Sequence, residues 1–234
     1  MIKIRVFKAV DDIKSCQKFI EGHMKILKVF GITMITSANI DWFIDPYTYV
    51  IIVESIEGDK VFGGARIQIA GGKNPLPIES AICELDENFH TILNDYKASG
   101  TAEVCGLWNS REVAGLGIGS IFLTRTAVAI APLLNIKSLW ALCAPYTVEM
   151  AQKTGFEIAK FVGNDGTFYY PKDDLLATAV LINDTNLLDM ADQEEKNEIL
   201  SLRNNPIQIK SEKSRRGVVF TINFDLTIQK HETI

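Results

Sequence analysis

Three glycines, Gly115, Gly117 and Gly119, occupy alternate positions between two apolar segments of the chain. The preceding segment, Thr101–Asn109, has the length and composition of a strand, and Ser120–Leu134 is apolar enough for a buried helix. A loop between a strand and a helix leaves backbone N–H groups unpaired beside the positive end of the helix dipole. The glycines are therefore predicted to form a phosphate-binding loop, although a tight turn without a ligand has the same pattern.

Two common phosphate-binding motifs do not fit the predicted loop, Ser110–Gly119. Its glycine spacing differs from that of the dinucleotide fingerprint, and no acidic residue follows a second strand at the usual offset. The loop also lacks the Gly-Lys-Ser/Thr of a P-loop. The sequence therefore favours neither of these nucleotide-binding classes.

The frame Ala114-Gly115-Leu116-Gly117-Ile118-Gly119 and the later pair Gly155-Phe156 resemble the acyl-CoA-binding motifs of the GNAT N-acyltransferases. The family pattern is Gln/Arg-x-x-Gly-x-Gly/Ala after the fourth strand, with a later helix that ends in Gly-Phe. Both required glycines fit, but Ala114 occupies the Gln/Arg position. The resemblance covers roughly Ile2–Tyr170.

The resemblance implies a mixed α/β fold with a central, mostly antiparallel twisted sheet between helices, in which strands 4 and 5 splay apart. Residues 1–170 would form the acyltransferase core. The remaining residues, 171–234, have the pattern of a strand, a charged helix and a hairpin. We interpret them as an extension that packs on the same domain.

The resemblance also implies that acetyl-CoA or another acyl-CoA is the co-substrate, and that no metal is needed. Backbone groups of Leu107 and Asn109 would pair with the pantetheine arm, and the Leu107 N–H would face the thioester carbonyl. The loop would hold the pyrophosphate through backbone N–H groups. The expected CoA-binding residues are Leu107, Trp108, Asn109, Ala114, Gly115, Leu116, Gly117, Ile118, Gly119 and Ser120.

Glu103 is the candidate base, because some family members carry a glutamate at the matching position of the fourth strand. Burial on a strand would raise the pKa of its carboxyl group; the alternative is a structural carboxylate paired with a Lys or Arg. The usual leaving-group tyrosine is replaced by Ala151, and a frequent asparagine by Ala144. Tyr146 is the candidate acid instead, although it could equally pack in the core.

The four cysteines, Cys16, Cys83, Cys105 and Cys143, lie far apart, without the spacing of a zinc site. Cys105 and Cys143 fall on the two splayed strands, but a thiol nucleophile needs a depressed pKa and no cationic neighbour is evident. Buried, reduced thiols and a chain that opens with a strand pattern favour a cytoplasmic protein. His90 lies off the apolar stripe of its helix and is interpreted as a surface residue.

Composition and charge restrict the partners. Apolar residues make up 47% of the 234 residues and charged residues 23%, as in ordinary globular proteins. A net charge of −5 argues against nucleic-acid binding, which needs clustered Lys and Arg. The apolar run Val113–Leu134 carries Arg125 and is interpreted as a core helix, with no membrane span. A homodimer is left open.

Three functions remain open on this basis. The first is an N-acyltransferase that moves an acyl group from acyl-CoA to an amine of a small-molecule or peptide acceptor. The second is an enzyme like the N-acyl amino acid and acyl-homoserine-lactone synthases, taking long acyl chains from a carrier protein; the segment Val61–Arg66 resembles features of those enzymes. The third is a degenerate CoA-binding regulator, which the replacements at Ala114 and Ala151 keep open.

Overall fold

The computed structural model describes residues 1–32, 39–116, 119–213 and 217–228. Within them, ten strands form one sheet and seven helices pack on it. The strands are β1 (Ile2–Lys8), β2 (Thr48–Ser55), β3 (Val61–Ile69), β4 (Thr101–Asn109), β5 (Ser138–Cys143), β6 (Glu157–Ile158), β7 (Thr167–Tyr169), β8 (Leu176–Ile182), β9 (Ile207–Lys213) and β10 (Val219–Asp225). The helices are α1 (Ile13–Val29), α2 (Pro77–Ile82), α3 (Phe89–Ser99), α4 (Arg111–Leu116), α5 (Ser120–Ile130), α6 (Pro145–Lys153) and α7 (Gln193–Asn204).

The strand order of the sheet is β6-β8-β5-β4-β3-β2-β1-β10-β9, with β7 paired to β8. Strands β4 and β5 run parallel, as do β1 and β10, and the other neighbours are antiparallel. The expected mixed α/β fold with a mostly antiparallel sheet between helices is therefore confirmed.

Helices cover both faces of the sheet because its central strands are apolar on both sides. On β2, Ile51 and Val53 contact the core beneath α5 and α7. The alternate residues, Val50 and Ile52, contact the core beneath α1. Helices α2 and α3 pack on the α1 side of the sheet, against Trp140 of β5. Among the described residues, no helix combines the length and the apolar character that crossing a bilayer requires.

Helix α1, which later forms one wall of the site, begins at the N-cap Asp12. The Asp12 carboxylate accepts a hydrogen bond from the Ser15 N–H at 3.0 Å. Arg5 of β1 donates to Asp12 at 3.1 Å and to Glu54 of β2 at 2.7 Å. This network joins the start of α1 to two strands, and the helix then buries Phe19 and Leu27 against the sheet.

Two predicted boundaries are wrong. The segment Ser110–Gly119, expected to be a loop, contains helix α4, because Arg, Glu, Ala and Leu in that stretch favour helix. The predicted helix Ser120–Leu134 ends as an α-helix at Ile130 and continues as a 3₁₀ turn, where Pro132 cannot donate to an α-helical ladder. Gly117 and Ile118, two of the predicted phosphate-loop residues, lie outside the described residues.

A buried ion pair joins the residues after 170 to the core, in addition to their apolar contacts with it. Arg125 of α5 forms two hydrogen bonds with Glu195 of α7, of 2.8 Å from Nε and 2.9 Å from Nη2. Its side chain is 7% exposed, and its Nη1 lies 3.4 Å from Glu212 of β9. Removal of one partner from such a pair leaves the other charge buried and uncompensated.

We expect Arg125→Met to lower the free energy of unfolding by about 3–5 kcal/mol, because Glu195 would then be buried without its cation. Urea denaturation measures this loss. Lys153→Met is the matched control: Lys153 forms an exposed i,i+4 pair with Glu149, and its removal should cost under about 1 kcal/mol. A single unfolding transition in both variants would support the interpretation that residues 171–234 belong to the same domain as the core. A separate, earlier transition of the C-terminal residues would contradict it.

Candidate active site

The parallel strands β4 and β5 pair over only part of their length. Their register runs from Thr101 opposite Ser138 to Val104 opposite Ala141, and it ends there. Beyond that point, β5 continues to pair with β8 as far as Cys143, while β4 continues to pair with β3 as far as Asn109. The two strands therefore diverge, as the resemblance to the GNAT motifs implied.

A β-bulge in β4 accompanies the divergence. Cys105 lies opposite Arg66 of β3 and Trp108 lies opposite Gly64, so β4 holds one residue more than β3 between these pairs. Gly106 occupies the bulge with a φ of +59°, a conformation that glycine adopts without strain. Gly106 and Leu107 have no Cα partner on β3 or β5.

A cavity of about 580 Å³ opens in the gap between β4 and β5. Its floor is β4 from Glu103 to Trp108, and the end of β5 with the start of α6 forms a second side. Helix α1 and the segment Tyr170–Ala177 complete walls that are mainly apolar. The volume is typical of a site for a small molecule or a cofactor arm. We call it the splay cavity.

Glu103 is buried in the wall of the splay cavity, with 2% exposure. Burial raises the pKa of its carboxyl group from 4.5 to about 8, although the Ile78 N–H and the Arg66 charge act in the opposite direction. The Ile78 N–H at the start of α2 donates to its Oε2 at 2.6 Å. No Lys or Arg forms an ion pair with Glu103 within the described residues, so the structural alternative lacks its partner.

His23 of α1 also lines the splay cavity, and sequence reasoning did not single it out. It is 3% exposed, and its Nδ1 has no hydrogen-bond partner in the part of the chain that the structure describes. Burial, with a smaller contribution from the Arg66 charge, lowers the pKa of its imidazole to about 4. His23 is therefore a neutral hydrogen-bonding group at physiological pH. Its position four residues after Phe19, on the apolar stripe of α1, was the available signal.

The other candidate residues for catalysis occupy different environments. Tyr146, at the start of α6, lines the splay cavity but is 77% exposed, so it does not pack in the core. Burial raises the pKa of the Cys105 thiol to about 12 and that of Cys143 to about 11. Neither cysteine has the depressed pKa that a thiolate nucleophile needs. His90 lies on the surface, 3.3 Å from Glu79.

The predicted CoA-binding residues divide into three groups. Leu107 and Trp108 line the splay cavity. Asn109 turns to the start of α5, where its Nδ2 donates to the Ser120 hydroxyl at 2.9 Å. Gly119 is the N-cap of α5, and no side chain caps that end of the helix. The remaining residues form α4 or lie outside the described residues: Ala114, Gly115, Leu116, Gly117 and Ile118.

Comparison with solved structures supports the assignment of the fold. The N-acyl amino acid synthase FeeM, from uncultured soil microbes, matches with a TM-score of 0.58 at 15% identity over 76% of this chain and 95% of FeeM. The CoA-dependent acyl-homoserine lactone synthase BjaI matches at 0.51 and 11% identity, over 87% and 90% of the two chains. Escherichia coli ElaA matches at 0.52 and 12% identity, over 77% and 99%.

The diverging strands and these matches define the chain as a protein with the GNAT-like acyl-CoA N-acyltransferase fold. No protein-family model and no curated protein sequence matches the chain. At identities of 11–15%, the likeness establishes the fold and leaves the reaction to be argued from the site.

Proposed function

We propose that this protein is an N-acyltransferase that moves an acyl group from an acyl-CoA thioester to an amine. The observation that carries the proposal is the position of Glu103, a buried carboxyl group in the wall of a cavity between diverging strands. A pKa of about 8 makes the Glu103 carboxylate a stronger base than an exposed glutamate, and it ionises close to physiological pH.

In this reaction a C–N bond forms and the C–S bond of the thioester breaks. The ionised Glu103 would accept the proton that the attacking amine loses. The backbone N–H of Leu107, which lies in the bulge, is the proposed donor to the oxygen of the tetrahedral intermediate. Tyr146 is the proposed donor of a proton to the thiolate that leaves. Its exposure at the rim would let solvent restore that proton.

The start of α5 is the proposed site for the pyrophosphate of CoA. Gly119 has no side chain to obstruct an approaching ligand, and the uncapped end of α5 presents backbone N–H groups and a positive dipole. These contacts come from the backbone, so the absence of Gln or Arg at position 114 does not remove them. The bound pantetheine arm would then lie in the splay cavity.

A donor with a long acyl chain is a second candidate, favoured by the walls of the splay cavity. Ile26 and Leu27 of α1, together with Leu175, Leu176 and Ala177, provide an apolar surface much larger than an acetyl group covers. The donor would be the acyl-CoA itself or a chain on a carrier protein.

The release of free CoA thiol from acyl-CoA tests the proposed reaction and the preferred length of the acyl chain together. We expect dodecanoyl-CoA to react with a kcat/KM at least roughly 10-fold above that of acetyl-CoA, because each buried methylene contributes about 0.8 kcal/mol. The acceptors are a panel of amines, amino acids and polyamines. Ala177→Phe, which fills the apolar wall, should remove this preference and leave the acetyl-CoA rate within about twofold, since a short chain does not reach the added ring.

The other outcomes distinguish the remaining functions. Faster release from acetyl-CoA would favour a short-chain acetyltransferase. Release only from acyl carrier protein would favour the synthase-like enzyme. CoA binding without thiol release, across all donors and acceptors, would contradict catalysis and favour a regulator.

A further inference from the structure

A second, smaller cavity lies beside the splay cavity on the same face of the sheet. Its volume is about 170 Å³, and most of its lining is polar. Pro77 at the start of α2 lines both cavities. We call the smaller one the Arg66 cavity. Its lining includes Asp41, Trp42, Arg66, Gln68, Asn74 and Pro75.

Arg66 brings a positive charge to this cavity. The residue is 1% exposed, and its Nη1 has no hydrogen-bond partner among the described residues. Its Nε donates to the Cys105 Sγ at 3.2 Å, and its guanidinium lies over the Trp42 ring, 4.8 Å from the ring centre. Neither contact supplies a negative charge, because the Cys105 thiol stays protonated with its pKa raised to about 12.

No carboxylate of the described residues lies within ion-pair distance of the Arg66 guanidinium. Asp41 contributes to the wall, but it is exposed and forms no such pair. A buried cation without a counter-ion is unfavourable unless a ligand compensates it. By contrast, the buried Arg125 has Glu195 as a bidentate partner.

Hydrogen bonds hold part of the wall of the Arg66 cavity in place. Gln68 of β3 donates from Nε2 to the Pro75 carbonyl at 2.8 Å. Asn74 donates to the buried carboxylate of Asp45 at 3.3 Å, and Asp45 also accepts from the Tyr47 N–H at 2.9 Å. The cavity is therefore shaped by the fold before any ligand enters. A planar guanidinium in such a cavity suits a carboxylate, which it can bind through two hydrogen bonds.

The register of β3 and β4 places this cation next to the candidate base. Gln68 lies opposite Glu103, and Arg66 lies opposite Cys105, so the four side chains share one face of the sheet. The Arg66 charge also acts on the Glu103 carboxyl group. A ligand that spans the two cavities would present one group to Glu103 and an anionic group to Arg66.

We propose that the Arg66 cavity binds the carboxylate of the acyl acceptor, so that the acceptor is an amino acid whose amine faces Glu103. This inference rests on the proposed acyltransferase function and names the class of its acceptor. The acceptor amine loses its proton to Glu103 and forms the new amide bond, while the carboxylate stays unreacted on Arg66. The product is an N-acyl amino acid.

Pairs of acceptors that differ only in the carboxylate test the proposal. Each standard L-amino acid is compared with its carboxamide, and thiol release from dodecanoyl-CoA and acetyl-CoA is measured. We expect at least one amino acid to exceed its carboxamide by roughly 100-fold in kcat/KM, since loss of a charge-assisted bidentate pair has about that effect. Arg66→Met should abolish this preference mainly through KM. Equal rates for acid and carboxamide in every pair would overturn the proposal.

A binding readout keeps this test separate from catalysis. We expect the preferred amino acid to raise the melting temperature of the parent protein, and neither its carboxamide nor acetate to do so. Arg66→Met should lose the shift but still bind CoA. It should also melt no lower than the parent without ligand, because it removes an uncompensated charge. The control Arg125→Met, on the other face of the sheet, should melt lower yet keep the ligand-induced shift.

The combinations of results are distinguishable. An Arg66-dependent shift without thiol release would retain the carboxylate site and contradict the acyltransferase. Thiol release with simple amines, without any Arg66-dependent shift, would retain the acyltransferase and overturn the carboxylate site. A shift that survives in Arg66→Met would overturn it as well.

Discussion

Glu103→Gln should lower the rate of acyl transfer by about 10²- to 10⁴-fold, the usual contribution of a general base. Glutamine has nearly the same shape as glutamate but cannot accept the proton of the amine. Its carbonyl oxygen can still accept the hydrogen bond from the Ile78 N–H that Glu103 accepts at 2.6 Å. The fold and the affinity for CoA should therefore be retained. Steady-state thiol release and calorimetric CoA titration measure the two quantities.

The pH dependence of the acyl-transfer rate tests whether Glu103 is the base. The parent rate should rise with pH to a midpoint near 8, because burial raises the pKa of the Glu103 carboxyl group to about 8 and only the ionised form is a base. The rate of Glu103→Gln should not show this rise with pH. His23 cannot supply a limb there, because burial lowers the pKa of its imidazole to about 4. An active Glu103→Gln enzyme with the parent pH profile would exclude Glu103 and leave ordered water as the base.

Glu79→Gln is the matched control, because Glu79 is a second buried carboxyl group near Glu103 that does not line the splay cavity. Its charge raises the pKa of Glu103. Its replacement should therefore shift the rate profile toward lower pH and preserve activity. A loss as large as that of Glu103→Gln would mean that the region tolerates no carboxyl replacement, and the assignment of the base would fail.

Stability should respond to the same ionisation. The folded protein holds the Glu103 proton up to a pKa of about 8, whereas the unfolded chain loses it near 4.5. The stability that this proton contributes is complete below about pH 4.5 and is lost as pH rises to 8. The parent should therefore lose stability relative to Glu103→Gln across that window. Urea denaturation of both proteins at several pH values measures the difference.

Gly119→Val should weaken CoA binding by about 100-fold, the equivalent of one or two charge-assisted hydrogen bonds from backbone N–H groups. Gly119 has φ −91° and ψ 173°, an extended conformation that valine also adopts. A Cβ at this position would find its nearest atom, the Ile121 nitrogen, at 4.0 Å. The protein should therefore accommodate the side chain, and a ligand that approaches the start of α5 should not.

Gly119→Ala is the graded control for this experiment. Its single methyl group should weaken binding less than valine does, and both variants should melt near the parent temperature. Calorimetric titration with CoA gives the affinities. Equal affinity in all three proteins would place the pyrophosphate elsewhere and remove the start of α5 from the site.

Some parts of the fold follow from local sequence patterns. The strand Thr101–Asn109 was predicted with the bounds that the structure has, because apolar content and flanking polar residues mark strand ends locally. The cap of α1 is local in the same way, since the Asp12 carboxylate and the Ser15 N–H that it accepts from are only three positions apart. The helix Arg111–Leu116 was missed because the glycines around it were given more weight than the helix formers within it.

The sequence by itself determined the strand Thr101–Asn109 that holds Glu103, and its resemblance to the GNAT motifs implied the mixed α/β class and the divergence of strands 4 and 5. The strand follows from local composition, and the resemblance rests on motifs and their spacing along the chain. Only the tertiary structure decided that Glu103 is buried, that His23 is neutral and that Arg66 has no counter-ion among the residues that the structure describes. The physical reason is that a side chain's pKa and its partners depend on burial and on charges that the fold brings from distant positions. Arg66 and Cys105, in contact across two strands, are separated by 39 residues of sequence.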